Sequence, residues 1–394
     1  MTGKILLLDG YSTRTLACVR SFGRHGLPFA VGGHSRWDFA LHSRHARETF
    51  FYTSPFVDVT GFLEDVTAAV DRFSATAILP TSEAAIMACS THREALTVPF
   101  LGPTPEQIAL LFDKERTLEL AGRLGLRVPR TLAVTGATPV ADIYAAMDLP
   151  VILKAGSSES FGDRQVRRGG DTVYVFSRDD LAREIDRKLQ YASTVLVQQF
   201  IAGHGVGVSG VFAGGRPVAL FGHRRLHEST PTGGPSAVAV SIAVDGELRD
   251  HATRLMGETG YTGPAMVEFK VDGRTGEPYL MEVNARLWGS ILLPLAAGLD
   301  IPHILWKVWH DEPVTEAELA YRIGLVGRYL FGDTKHLLLA LRGRPHDWPG
   351  EFPGRWPALR DYVGMFFRRD VRTLLLTADD PRPFFGRFFQ ELFG

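Results

Sequence analysis

Three polar residues alternate with apolar ones in Met281-Glu282-Val283-Asn284-Ala285-Arg286. A strand repeats every two residues, so this spacing turns Glu282, Asn284 and Arg286 to one face. Upstream, Met266-Val267-Glu268-Phe269-Lys270 also reads as a strand, and Asp272-Gly273-Arg274-Thr275-Gly276 between the two runs predicts a hairpin. Glu268 then reaches the same face. Two carboxylates and an amide oxygen pointing together make a hard-oxygen set suited to Mg²⁺. Arg286 beside them would counter an anion held by the metal. Taken alone, Glu-x-Asn-x-Arg also suits a solvated strand face.

Two lysines extend the pattern. Lys154 ends the apolar run 151–154, just before Gly156-Ser157-Ser158-Glu159-Ser160-Phe161-Gly162. A lysine at a strand end can meet a phosphate as a point charge, and a Gly/Ser loop offers backbone N–H groups above it. Lys114 starts a helix after Asp113, a capping residue type. Each lysine alone is equally an ordinary surface residue.

The elements that must position these groups are legible in outline. Residues 5–8, 27–31 and 77–79 read as buried strands, with helical periodicity over 12–25 and 62–73. Such alternation predicts a parallel sheet covered on both faces. The first turn, Asp9-Gly10-Tyr11-Ser12-Thr13, lacks the glycine fingerprint of dinucleotide binding, so the domain is Rossmann-like without an NAD site. Thr104, Pro105 and Gln107 form a capping box, and a further helix runs from Asp113 to about residue 124. Strands are expected at 151–154, 173–176, 195–199, 206–212, 217–221 and 237–242, followed by helix from about 290 and an ordered connector over 343–356.

In order, Asp113-Lys114, Pro150-Val-Ile-Leu-Lys154 with its Gly/Ser loop, Gln198-Gln199-Phe200-Ile201-Ala202-Gly203, Glu268 and Glu282-Val-Asn-Ala-Arg286-Leu-Trp-Gly-Ser290 resemble the ATP-grasp superfamily. The resemblance is to the branch of carboxylate–amine ligases and the carbamoyl-phosphate synthase large subunit, and it spans roughly residues 1–310. It implies an α/β and α+β chain. A Rossmann-like domain (1–103) precedes two ATP-grasp subdomains (104–194 and 195–310), and a helical C-terminal extension (311–394) follows. It further implies that Lys114 and Lys154 face ATP phosphates, that Ser157 and Ser158 belong to the phosphate-covering loop, and that Gln198, Gln199, Phe200 and Ile201 form the hinge that reads adenine. Glu268, Glu282 and Asn284 then hold Mg²⁺, with Mn²⁺ as a substitute, and Arg286 faces the transferred phosphoryl. The run Gly203-His204-Gly205-Val206-Gly207 departs from relatives, which often carry a ribose-binding acid there.

The implied reaction activates a small-molecule carboxylate as an acyl phosphate and joins it to an amine. Substrate-side candidates are His223, Arg224 and Arg225, since a guanidinium fork matches a carboxylate, and Glu83 for an ammonium. His227 or Glu228 could take a proton from the amine. Carboxyphosphate or carbamoyl-phosphate chemistry and ATP binding without turnover are the competing functions. The absence of a second repeat argues against a full carbamoyl-phosphate synthase, and the complete metal set argues against mere binding.

Composition narrows the setting. The chain has 394 residues with 43 Lys plus Arg against 44 Asp plus Glu, a balance that argues against a nucleic-acid partner. The two cysteines, Cys18 and Cys89, have no metal-ligand spacing and suit a reducing cytoplasm. The longest apolar run, 291–299, falls short of the ~20 residues of a spanning helix. Near the C-terminus, phenylalanines from Phe366 to Phe393 are interleaved with arginines. That segment suits a terminal helix packed on the protein or at a homodimer interface, and it leaves a membrane surface open.

Overall fold

The computed structural model describes residues 3–156, 159–161, 165–168, 170, 172–244, 246–346, 348 and 350–393. Strands β1 (Lys4–Leu7), β2 (Phe29–Gly33), β3 (Thr49–Phe51) and β4 (Ala75–Leu79) form a parallel sheet in the order β3-β2-β1-β4. The helix Thr13–His25 starts where the Ser12 side chain accepts from the Thr15 N–H, and ends at Gly26 in the left-handed region (φ 66°). In the turn after β1, the buried Asp9 carboxylate accepts from the N–H groups of Thr81 (2.8 Å) and Ser82 (2.7 Å) and from the Ser82 hydroxyl (2.9 Å). Asp9 thereby fixes the start of the helix Glu83–Thr91.

A second sheet follows. Its strands are β5 (Thr131–Val134) and β6 (Val151–Ala155), then, after the separate small hairpin β7 (Glu159–Phe161) and β8 (Val166–Arg168), β9 (Val173–Val175) and β10 (Val195–Gln199). The order is β5-β10-β6-β9, with β10 antiparallel to both neighbours. The sequence expectation divided the subdomains at residue 195, but the ladder of β10 ties it to the preceding strands. Periodicity shows that a strand exists and not which edge it joins.

The largest sheet contains β11 (Gly203–Ala213), β12 (Arg216–Thr230), β13 (Gly233–Ile242), β14 (Gly263–Asp272), β15 (Pro278–Asn284), β16 (Val326–Arg328) and β17 (Val371–Thr373). Its order is β15-β14-β11-β12-β13-β16-β17. Residues 221–236, expected as a strand and loop, are two long paired strands with a tight turn. The C-terminal extension, expected to be helical, also supplies the last two strands of this sheet, β16 and the edge strand β17. Val206, Val208, Val267 and Leu280 pack on one face of this sheet. On the other face, Val211, Phe221 and Met266 share a core with Leu16 and Phe22 of the first helix and Leu305 of Ile301–Trp309.

Buried ion pairs lock the extension in place. Arg20 donates to the Asp380 carboxylate (2.9 Å) and to the carbonyls of Leu374 (3.0 Å) and Leu375 (2.8 Å). The helix Arg382–Phe393 then returns to the first domain, with Phe384 against the core and the Arg387 guanidinium over the Phe39 ring. Packing on the protein therefore accounts for part of the basic, aromatic C-terminus, while Phe385, Phe388 and Phe389 remain exposed. No helix among the described residues is long and apolar enough to cross a membrane.

Asp333, on the helix Leu330–Arg342, pairs with Arg328 (2.6 Å) and with His227 of β12 (2.8 Å). Burial pushes its carboxyl up, but these two neighbours outweigh burial and hold it below the usual range. A depressed carboxylate stabilises the fold above its unfolded pKa of about 3.9 and loses that contribution as pH falls through the lower folded value. Asp333→Asn leaves the buried Arg328 guanidinium unpaired and should cost about 3–5 kcal/mol near neutrality. Urea denaturation across pH should show the gap to wild type closing below about pH 4. A gap that stays constant down to pH 3 would rule out the charge pairing as its source.

Candidate active site

The hairpin of β14 and β15 places Glu268 directly opposite Glu282, and Met266 opposite Asn284. Side chains of Glu268, Glu282 and Asn284 share one face, as the spacing predicts. The Asn284 amide donates to Glu282 Oε1 (3.0 Å), which leaves its own carbonyl oxygen turned to other uses. Among the described residues, no group of three or more His, Cys, Asp or Glu gathers as a cage. The donor set is therefore two carboxylates plus an amide oxygen. That set fits Mg²⁺, which keeps several waters and is commonly held by one or two carboxylates together with substrate phosphates.

Cations surround the pair. Lys114 Nζ stands 4.0 Å from Glu282 Oε2, and Arg225 donates to Glu268 Oε2 at 2.5 Å. Burial pushes the Glu282 carboxyl up, but Lys114, Lys154, the Asn284 hydrogen bond and Arg286 outweigh it and hold it well below the usual range. At Glu268, burial and the charge of Glu282 prevail over Arg225, so that carboxyl lies above the usual range. Paired carboxylates pushed apart in this way are typical of sites that bind a cation or handle a proton.

Lys154 lies on β6, and its ammonium donates to Gln198 Oε1 (3.0 Å), whose amide donates in turn to Thr131 Oγ1 (3.1 Å). Burial pulls the Lys154 ammonium down, against the charges of Glu282 and Glu268. Gln198, expected to read adenine through its backbone, thus also holds the Lys154 ammonium through its side chain. Gln199 is the last residue of β10, and Phe200 and Ile201 lie beyond the ladder. Asp113 caps the helix Lys114–Arg123, and the Lys114 N–H donates to the Gly156 carbonyl (3.0 Å). The helix that carries one lysine thereby anchors the start of the loop after the other. Ser157 and Ser158 lie outside the described residues.

The glycine run after the hinge has a steric purpose. A Cβ at Gly205 would come within 2.8 Å of Arg225 Cδ, and one at Gly207 within 2.3 Å of the His223 ring. Gly207 sits between Glu268 and His223 in register across β14, β11 and β12. The missing side chains clear a lane along which Arg225 crosses β11 to reach Glu268. A glycine at every second position was the visible signal, but its meaning depends on which strand lies beside it.

The substrate-side candidates separate. Arg225 enters the site, where it also pairs with Glu228 (3.2 Å). Arg224, one residue earlier, points to the opposite face of β12 and is exposed, so the structure does not bring it to the carboxylates. His223 is buried, and burial, with Arg225 adding, pulls its imidazole down to about 3. A neutral ring offers no charge to a carboxylate. His227 is engaged at both ring nitrogens, by Asp333 and by Asp361 (3.1 Å), which removes it as a free base. Glu83 occupies the first turn of its helix and also faces Arg286 at 3.5 Å. Glu83, Lys114, Thr117, Glu282, Asn284 and Arg286 line one small cleft between the N-terminal domain and the hairpin.

The chain is similar to known proteins. A family model described as "ATP-grasp in the biosynthetic pathway with Ter operon" matches residues 192–326, from β10 to the start of β16. D-alanine–D-alanine ligase B of Xanthomonas campestris pv. campestris is 29% identical over 233 residues, 55% of this chain and 70% of the relative. These matches support a relation to the ATP-grasp superfamily. Among solved structures, L-amino acid ligase from Bacillus licheniformis superposes with a TM-score of 0.62 at 18% identity, covering 82% of this chain and 78% of that one. The biotin carboxylase domain of Hydrogenobacter thermophilus 2-oxoglutarate carboxylase, in complex with MgADP, ADP and bicarbonate, gives a TM-score of 0.61 at 17% identity, covering 82% and 73%. At such identities these likenesses establish the fold. The ATP-grasp architecture is the one expected from the sequence, and the relatives named as ligases support the carboxylate–amine ligase branch.

Proposed function

We propose that this ATP-grasp chain is an ATP-dependent ligase that activates a small-molecule carboxylate and joins it to an amine. The observation that carries the reading is the opposed pair Glu268 and Glu282, ringed by Lys114, Lys154, Arg225 and Arg286 beside one cleft. Glu268, Glu282 and Asn284 would hold Mg²⁺, or Mn²⁺ in its place. Bound there, the metal supplies neutralisation of charge on the phosphate oxygens. Lys114 and Lys154 bind the phosphates, the segment Gln198–Ile201 seats the adenine, and Arg286 faces the phosphoryl group in transfer.

The γ-phosphoryl passes to a substrate carboxylate oxygen, giving an acyl phosphate and ADP. The amine attacks the acyl carbon, a proton leaves the nitrogen, and phosphate departs to leave an amide. Arg225 is placed to orient a carboxylate, and Glu83 an ammonium. Glu228, held by Arg225, is the nearby group able to accept the proton. The names of the relatives, a D-alanine–D-alanine ligase and an L-amino acid ligase, support amino acids as the substrate class. The bicarbonate in the biotin carboxylase complex favours a second reading, carboxyphosphate chemistry.

We assign the reaction to the cytoplasm, in keeping with two buried, unpaired cysteines. The balanced charge supports an assignment without a nucleic-acid partner, and the exposed Phe385, Phe388 and Phe389 support a homodimer. The test is ADP release from Mg-ATP with pooled amino acids, other small acids and amines, read with mass spectrometry. A product equal to acid plus amine minus water is expected. ADP release that requires bicarbonate would replace this reading with the second, and ATP binding without any turnover would reject both.

A further inference from the structure

Trp348 belongs to the connector that follows the helix Leu330–Arg342, far along the chain from the nucleotide hinge, yet it is packed against that hinge. Its indole is 7% exposed and lies 5.6 Å from the Phe200 ring, 5.0 Å from Tyr174 and 6.2 Å from Phe176, each edge-on at 82°. Tyr174 also meets Phe200 directly at 6.0 Å. The three rings around Trp348 come from β9, the residue after it and the residue after β10. Tyr174 stands opposite Ile152 on β6, the strand that carries Lys154. Its hydroxyl rests against the turn between β12 and β13, where a Cβ at Gly233 would come within 2.2 Å of it.

The indole is also held from behind. Its Nε1 donates to the Glu351 carbonyl (3.1 Å), and Arg344 Nε donates to the Trp348 carbonyl (3.1 Å). A ring with a fixed backbone and a satisfied N–H is a rigid wedge, and edge-to-face aromatic contacts have a defined geometry. Phe200 lies outside the β10 ladder, so side-chain packing and not sheet hydrogen bonding sets its position. An element supported only by packing is displaced when its packing partner is removed, and a small misplacement in a binding site costs affinity.

We infer that Trp348 is a positioning residue for the nucleotide site: the C-terminal extension uses it to brace the adenine-reading hinge at Phe200. This rests on the assignment of Gln198–Ile201 as that hinge. The extension is then part of the ATP site and not an appendage to it.

The test uses the full chain and two ligands, ATP and inorganic tripolyphosphate, titrated calorimetrically with Mg²⁺ present. Tripolyphosphate engages the phosphate groups alone, whereas ATP needs the hinge as well. Trp348→Ala should weaken ATP binding about tenfold, the worth of one to two aromatic contacts, while tripolyphosphate affinity stays at the wild-type value. Trp348→Phe, which keeps a ring in the cluster, should recover most of the ATP affinity. Equal loss for both ligands, or no loss for either, overturns the bracing role. If Trp348→Ala does not fold, an ATP affinity of Trp348→Phe indistinguishable from that of Trp348→Leu overturns it as well. Wild-type protein that binds tripolyphosphate but gains nothing from the adenosine moiety would reject the hinge assignment itself, an outcome separate from both.

Discussion

Glu282→Gln should abolish most turnover while leaving the fold intact. The substitution keeps the shape of the side chain and an oxygen for the Asn284 amide, which now donates at 3.0 Å. It removes the charge that Lys114, Lys154 and Arg286 hold in its ionised form. Loss of one preorganised charge from a phosphoryl-transfer site lowers kcat by about 10³-fold, on the scale of losing an oxyanion donor. The direction for nucleotide without metal is opposite. A carboxylate beside the two lysines proposed to bind the phosphates repels a triphosphate, so ATP in the presence of a chelator should bind Glu282→Gln at least as tightly as wild type. Collapse of ADP release together with retained chelator-insensitive ATP binding would assign Glu282 to the metal. Near-normal turnover at saturating Mg²⁺ would remove it from the site, and a loss of both would mark it as a folding residue.

Much of this site was legible because its residues alternate on a single hairpin. Glu282 and Asn284 share a face by strand periodicity, the turn Asp272–Gly276 brings Glu268 across to meet them, and Arg286, expected on the same strand, lies two residues beyond its end yet lines the same cleft. The same local logic found the cap at Asp113, the capping box at Thr104 and the strand that ends near Lys154. Non-local placement was beyond it. Arg224 and Arg225 are adjacent and chemically identical, and only the register of β12 against β11 decides which one meets Glu268. His223 looked like a cation until burial made it neutral, and His227 looked like a base until Asp333 and Asp361 closed around it. Those partners lie more than a hundred residues away, in an extension whose two short strands carry little periodic signal. The glycines at 205 and 207 show the same limit, because they answer a side chain on a neighbouring strand.

Lys154→Ala should carry the second large effect, on binding before catalysis. Lys154 is fixed by a relay, Thr131 to Gln198 to the ammonium, which aims it without consuming all three of its N–H donors. A charge-assisted hydrogen bond to a phosphate is worth about 1.5–3 kcal/mol, so ATP affinity should fall roughly 10- to 100-fold. Adenosine lacks the phosphates and should bind wild type and variant alike. Lys154→Arg should not restore ATP binding, because a planar guanidinium fork does not reproduce the point charge that now meets Gln198 Oε1. Lys154→Ala should also raise the Glu282 carboxyl toward its ordinary range, since one of the cations that hold it down is gone. Nucleotide titrations of the three proteins test this directly. If ATP and adenosine lose affinity together, Lys154 supports the hinge through Gln198. If neither changes, the phosphates lie elsewhere, and Lys114 would be the cation to examine for the triphosphate.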